Sequence, residues 1–224
     1  MILIKPSHKI LTIMAYDPDH ELLPCDTPLG LLEQAGRVCY KSEDNITSTS
    51  CINFIKSILK RGHESVIEHS AMTVHFVCDR GVTHELVRHR LCAFSQESTR
   101  YCNYKGGVTF IIPSWMIIHP GEYTEEIKDH GLNAPEAEWW GMMLQAEFSY
   151  KALLNMGWNP QQARSVLPNS LKTEIVTTAN FREWRHIFKL RTSKAAHPQM
   201  RELMIPLLQE CKKLIPVIFD DIEV

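Results

Sequence analysis

The chain has no excess charge of either sign, no Cys-x-x-Cys pair, no Gly-x-Gly-x-x-Gly turn, no internal repeat and no apolar run long enough to span a bilayer. Each absence excludes something. A formal net charge of -2 argues against a general polyanion-binding surface, though a local basic pocket for a small phosphorylated ligand stays open. The seven cysteines, at 25, 39, 51, 78, 92, 102 and 211, are odd in number and scattered. They read as reduced thiols rather than a disulfide framework or zinc ribbon. The opening Met1-Ile2-Leu3-Ile4-Lys5-Pro6 has no long apolar core of the kind a secretory leader needs, so a cytoplasmic protein with no membrane contact is expected. Without the glycine-rich turn there is no Rossmann phosphate loop.

What is present is an ordinary globular composition: 224 residues, 44% hydrophobic and 22% charged, enough for one domain over 1–224. Ile2 to Tyr16 reads as an opening strand. Thr27-Pro28 opens a helix with Leu32, Ala35, Val38 and Cys39 on its stripe. Lys41 to Ser50 is a polar loop, and Ile52, Ile55, Ile58 and Leu59 mark a second helix closed by Gly62. Met72, Val74, Phe76 and Cys78 alternate with neighbours, the period of a half-buried strand. Thr83 is read as the N-cap of a helix through Val87, and Val108–Pro113 as another strand. His119 to Asn133 is polar and acidic, suited to a mobile insertion. Asn133-Ala134-Pro135 opens a long helix through Asn155, Asn159-Pro160 a short one, and Thr173–Thr178 is extended. Two helices follow, from Phe181 to about Thr192 and from about Pro198 to Leu214, the last carrying Pro206, expected to kink it. The pattern is α+β: a mixed sheet with packed helices and a C-terminal third that is mainly helical.

The densest chemistry lies between Arg88 and Tyr101, where fourteen residues hold three arginines, a histidine, a glutamate, two serines and a tyrosine. Leu91, Cys92 and Phe94 are expected to keep this segment near a core, and Ser95 to Thr99 to form a loop. Guanidinium forks bind oxyanions in bidentate fashion and hydroxyls add neutral donors, so the stretch suits a phosphate. Clustered arginines alone more often mark a solvated face. On the helix from Phe181, Asn180 is a natural N-cap with Glu183 completing a capping box. Trp184, Phe188 and Arg191 fall at spacings of four and three, which puts Arg191 along the aromatic face. A buried guanidinium needs a partner, so a carboxylate or a bound anion is expected beside it. Arg182, His186 and Lys189 read as a solvated face.

The order Arg88-His89-Arg90, seven residues, then Ser98 with Thr99-Arg100-Tyr101 resembles the signature of the flavin-dependent thymidylate synthases. His63-Glu64-Ser65-x-x-Glu68-His69 is similar to that family's His-Glu segment. Arg164 before Leu167-Pro168, Asn180-x-Arg182 and Leu190-Arg191 resemble its later blocks, in the same order. The resemblance implies reductive methylation of dUMP to dTMP without a cysteine nucleophile, with FAD reduced by NADPH and 5,10-methylenetetrahydrofolate as carbon donor. It places His63, Ser65, Glu68, Arg88, His89, Arg90, Leu91, Gln96, Asn180, Arg182, His186 and Leu190 at FAD. Glu85, Arg88, Gln96, Glu97, Ser98, Thr99, Arg100, Arg164 and Arg191 fall at dUMP, with Arg191 catalytic at the uracil edge. Some members carry Ser for Ala93 and Asn-Glu for Ser95-Gln96, which leaves open whether Gln96 or Glu97 makes the main nucleotide contact. The family is homotetrameric, with active sites shared between subunits, and its dinucleotide is held by side chains and subunit packing. No metal and no nucleic acid are implied.

Two rivals stand beside this. A zinc hydrolase would draw on His84-Glu85 and His89, but five residues turn two histidines roughly 140° apart on a helix, whereas the zincin motif needs four. An RNA-binding module would draw on Arg88, Arg90, Arg100, Tyr101 and Tyr104, yet the charge balance and the lack of an RNP or KH pattern oppose it.

Overall fold

The computed structural model describes residues 1–14, 27–123 and 131–224. The expected strand end at Tyr16, Cys25, and residues 124–130 of the expected insertion lie outside them. Seven strands are described, β1 (Ile2–Ile4), β2 (Ser7–Ile13), β3 (Ala71–Asp79), β4 (Ala93–Gln96), β5 (Thr109–Ile111), β6 (Gly121–Glu122) and β7 (Lys172–Asn180). The helices are α1 (Pro28–Val38), α2 (Ser50–Lys60), α3 (Arg80–Leu86), α4 (Ala134–Asn155), α5 (Pro160–Ala163), α6 (Phe181–Arg191) and α7 (Pro198–Leu214), α7 running through Pro206. One sheet has the order β5-β1-β6 and the other β2-β3-β7-β4. The fold is α+β with a mainly helical C-terminal part, as the patterns predict. No described helix is long and apolar enough to cross a membrane.

The chain forms two compact units. The first comprises Met1–Ser7, Phe76–Leu86 and Ser95–Ile175. Here β1 pairs in parallel with β5 (Leu3 opposite Phe110) and antiparallel with β6 (Leu3 opposite Gly121). The proposed opening strand is thus two strands, because Pro6 has no N–H to continue a ladder, and part of the expected insertion is strand β6. The core packs Leu3, Val108, Phe110, Trp140, Met143 and Tyr150. Asn133 caps α4 with a full capping box through Glu136.

Helix α3 begins four residues earlier than the sequence reading placed it. Its cap is Asp79, whose carboxylate accepts the Val82 N–H at 2.7 Å, and Thr83 lies inside the helix with its hydroxyl on the Arg80 carbonyl (3.0 Å). Thr and Asp both cap well, and the strand β3 runs straight into the helix with no loop between them. Replacing Asp79 by alanine should lower stability by about 1–2 kcal/mol, while Asp79→Asn should keep most of it. Urea melts of the two variants decide, and equal losses would show that the cap is not what matters.

The second unit holds His8–His75, Val87–Phe94 and Val176–Val224. Its core is aromatic. Phe219 packs edge-on against Phe181 and Phe188 at 5.9 and 5.3 Å between centroids, and the Trp184 indole donates to the Met72 carbonyl at 2.9 Å. The stripe of α1 differs from the one expected: Leu29, Leu32, Glu33 and Gly36 are buried, while Val38 and Cys39 are exposed. Burial of Glu33 is made tolerable by Arg37 (2.8 Å) and the Ser50 hydroxyl (2.8 Å). Gly36 faces Phe54, and a Cβ there would stand 2.6 Å from the ring, so glycine lets α1 and α2 close up. On α2, Ile52 is exposed and Cys51 takes its place inside. Gly62, at φ +73, ends that helix in the left-handed conformation expected of it. The His-Glu segment forms a 3₁₀ turn over Glu64–His69, and within the expected loop Lys41–Ser50 another spans Glu43–Asn45.

Candidate active site

In the second unit, α6 and the segment Val87–Phe94 build a three-membered chain around His89. The imidazole is 4% exposed. Its Nε2 accepts the Arg191 Nε–H at 3.0 Å, which leaves the ring proton on Nδ1, 3.4 Å from Glu183 Oε1. The His186 ring stands edge-on at 5.5 Å between centroids. Burial, then the Arg191 guanidinium and His186, push His89 down to about 4. Burial likewise holds the Glu183 carboxyl above its usual range, with His186 opposing. The shared cause is a dry pocket that disfavours charge on either group.

Two expectations change here. Arg191 was expected along the aromatic face, beside a carboxylate or anion. It is half-buried there, and its Nε–H meets the His89 imidazole. Asn180 does cap α6, accepting the Glu183 N–H at 2.9 Å, but the Glu183 carboxylate that a capping box would turn back to the cap faces His89. That use of Glu183 is invisible in the sequence, where a cap is sufficient reason for it. Leu91, expected near a core, is 78% exposed.

A cavity of 690 Å³ opens beside this chain, lined by Glu64, Glu68, Leu91, Asn180, Arg182, Glu183, Arg185, His186 and Lys189. Arg182, His186 and Lys189 are exposed, as expected of that helix side, but they face this hollow. The 3₁₀ turn brings Glu68 to Arg182 at 2.5 Å. His63 and Ser65 are exposed on the same turn, with the His63 Nδ1 3.4 Å from the Tyr40 hydroxyl. A shallower hollow of 320 Å³ is lined by Arg88, His89, Arg90, Leu91, Leu190 and Arg191 among others. Of the residues assigned to FAD, all but Gln96 are in this unit. Arg185, Glu183 and Lys189 were not assigned to any ligand.

Acidification should tax this arrangement. Unfolded, His89 takes its proton near pH 6.5, whereas in the fold it waits until about 4. Between those values the unfolded chain binds more protons, so stability rises with pH; the penalty is absent above 6.5 and complete below about 4. On going from pH 7 to pH 4, the wild type should lose roughly 1–3 kcal/mol more than His89→Gln. Parallel pH–stability curves for the two proteins would refute this.

In the first unit, the loop after β4 gathers a different set. Arg164, on the 3₁₀ turn after α5, donates from Nη1 to the Thr99 hydroxyl at 3.0 Å. Ser98 folds the loop by accepting the Arg100 N–H on its hydroxyl (3.3 Å) and the Cys102 N–H on its carbonyl (2.9 Å). Arg100 lies over the Tyr101 ring at 5.4 Å. Glu97 is fully engaged, accepting from the Tyr104 hydroxyl (2.7 Å) and Lys172 Nζ (3.1 Å), and Lys172 also reaches Glu174. Burial works against the Lys172 charge, but Glu174 and Glu97 hold its pKa above the usual value. Gln96 donates its amide to the Thr83 and Thr173 hydroxyls at 3.0 and 3.2 Å. Glu85 lies on α3 in the same unit. Residues assigned to dUMP therefore come from both units, Arg88 and Arg191 from the second and the others from the first. Sequence reasoning missed Lys172, since a lysine at a strand start carries no signal of its own.

His89, Glu183 and His186 are also a possible metal-ligand set, with donor atoms within 4.8 Å of one another. Against an ion stand the Arg191 guanidinium already on His89 and a ring proton on the nitrogen facing Glu183.

The family described as "Thymidylate synthase complementing protein" matches residues 21–217. The flavin-dependent thymidylate synthase of Mycobacterium tuberculosis (strain ATCC 25618 / H37Rv) is 34% identical over 205 residues, covering 87% of this chain and 79% of the relative. That of Corynebacterium efficiens is 32% identical over 206 residues with the same coverage. Among solved structures, a UMP/dUMP methylase PolB from Streptomyces cacaoi bound with 5-Br dUMP superposes with a TM-score of 0.76 at 22% identity, covering 98% of this chain and 96% of that one, a likeness of fold. With the match spanning most of its length and a third of its residues shared, the chain belongs to the family of the flavin-dependent thymidylate synthases.

Proposed function

We propose that the protein methylates dUMP to dTMP, using FAD reduced by NADPH, with 5,10-methylenetetrahydrofolate as carbon donor and no cysteine nucleophile. The observation that carries the reading is the Glu183–His89–Arg191 chain, whose Glu183 also lines a cavity holding Arg182, Arg185 and Lys189. At 690 Å³ the cavity falls in the range of cofactor sites. Its Arg182 and Lys189 supply the positive charge a pyrophosphate needs, and His186 and Asn180 offer hydrogen-bonding groups. The donor set fits FAD. Bound there, FAD would supply hydride chemistry.

The chain's own groups have separable tasks. His89, neutral at working pH, accepts from Arg191 and so fixes the direction of the guanidinium. Arg191 serves as a rigid cation for charge developing on the uracil ring. Arg164, Thr99, Ser98 and Arg100 bind the nucleotide phosphate as donors, while Glu97, held by Tyr104 and Lys172, stiffens the loop. With Glu97 so occupied, the reading favours Gln96 for the main nucleotide contact, its amide N–H₂ anchored on Thr83 and Thr173. The absence of a nucleophilic thiol is supported by Cys92, half-buried beside Glu183, where burial pushes the thiol up to about 12, far from the thiolate that attack requires.

Self-association as a homotetramer is supported by exposed apolar side chains along α4 and just beyond it, Met142 (54%), Phe148 (68%) and Met156 (78%). The reading places the protein in the cytoplasm, acting on small molecules. An absorbance spectrum with FAD, before and after dUMP, tests it. A bound-flavin spectrum that shifts with dUMP supports the assignment, and a folded protein that leaves FAD unchanged overturns it.

A further inference from the structure

Arg185 is the least explained charge in the second unit. It is 3% exposed, yet it belongs to none of the motifs that carry the family resemblance. Its guanidinium is seized from one side by the C-terminal turn: Nη1 and Nη2 meet the two Asp221 oxygens at 2.6 and 2.7 Å, and Nη1 also donates to the Ile218 carbonyl. That turn is itself pinned. Val217 sits at φ +79, a conformation a β-branched residue adopts only when its surroundings impose it. Asp220 accepts the Val217 N–H at 2.9 Å, and Lys212 Nζ donates to the Ile222 carbonyl at 2.7 Å.

The remaining edge of Arg185 points the other way. Nε is buried without a hydrogen-bond partner, and Glu64 Oε1 stands 3.5 Å from it as an ion pair. Glu64 is also 3.8 Å from the Nε of Arg182, and all three residues line the 690 Å³ cavity. A cavity meant for an anionic ligand therefore carries two carboxylates that compete with it for Arg182: Glu68, paired with the Arg182 Nη1 at 2.5 Å, and Glu64 on the Nε side.

We propose that Arg185 is a positioning residue for the cavity: clamped by Asp221 and the Ile218 carbonyl, it neutralises Glu64, so that an anionic ligand competes for Arg182 with Glu68 alone and not with two carboxylates. The inference rests on the reading of the cavity as the FAD site. Arg185 acts through Glu64 and the ligand charge. It does not need to touch the ligand. An uncompensated carboxylate on a partly screened wall is expected to weaken anion binding by about tenfold.

The test is a double-mutant cycle read by FAD binding to the purified full chain, followed by quenching of FAD fluorescence. Arg185→Met should raise the FAD dissociation constant about tenfold, and adding Glu64→Gln in the same protein should restore it to near the Glu64→Gln value. A purely structural role predicts no such rescue, because removing a second side chain cannot repair a damaged core. Should Arg185→Met not fold, Arg185→Lys carries the same comparison, since it keeps a charge but loses the fork that Asp221 holds. FAD binding of wild-type strength in the Arg185 variant, or a loss that Glu64→Gln leaves in place, overturns the proposal. A wild-type protein that does not bind FAD at all would instead overturn the reading of the cavity.

Discussion

Arg191→Ala should yield a folded protein that still binds FAD but makes dTMP roughly 10²–10³-fold more slowly, the usual consequence of removing one preorganised electrostatic stabiliser. The folding half of the expectation follows from exposure: Arg191 is half-buried at the end of α6, and the aromatic packing of Trp184 and Phe188 does not depend on it. The catalytic half follows from its orientation. An Nε–H donated to a neutral imidazole at 3.0 Å fixes the guanidinium plane and with it the direction of its terminal nitrogens. Lysine has no equivalent of that anchored Nε, so Arg191→Lys should recover little. Single-turnover formation of dTMP separates this from a binding defect. Wild-type turnover in the alanine variant would remove Arg191 from the chemistry.

Arg164→Ala should act differently, raising the KM for dUMP about 10- to 100-fold with kcat nearly unchanged, since a charge-assisted hydrogen bond is worth roughly 1.5–3 kcal/mol. Arg164 is exposed except where it holds the Thr99 hydroxyl at 3.0 Å, so its loss exposes no core. Thr99→Val removes only the neutral partner that aims it and should raise KM less than Arg164→Ala. Thr99 is 5% exposed and nearly isosteric with valine, so the fold should tolerate the change. A kcat effect with unchanged KM would place Arg164 in the transition state instead of the ground state.

The long elements were legible because a single physical signal dominated each of them. Alternation in β3, the capped start and glycine stop of α4, and the aromatic spacing of α6 all reappear in the structure. The failures cluster where two residues compete for one role. Asp79 and Thr83 are both good caps, and only the depth to which β3 runs decides between them. Glu33 is buried in α1 although charge argues for the outside, because Arg37 and Ser50 meet it from directions that periodicity does not encode. In the site, the residue types with strong one-dimensional signatures were named, whereas their supports were not. Tyr104 and Lys172 hold Glu97 across sequence separations of 7 and 75. Arg185 meets Asp221 at a separation of 36. Such contacts exist only once the chain has folded.

The cysteines offer a last consequence. Cys78 and Cys211 are sealed in their cores, 0% exposed, and burial drives both thiols up, Cys211 to about 12. Cys39 lies exposed at the end of α1. A maleimide dye should therefore mark Cys39 within minutes and reach the two sealed sulfurs only when their surroundings open. Because Cys78 belongs to the first unit and Cys211 to the second, the two labelling rates become separate clocks for the breathing of each.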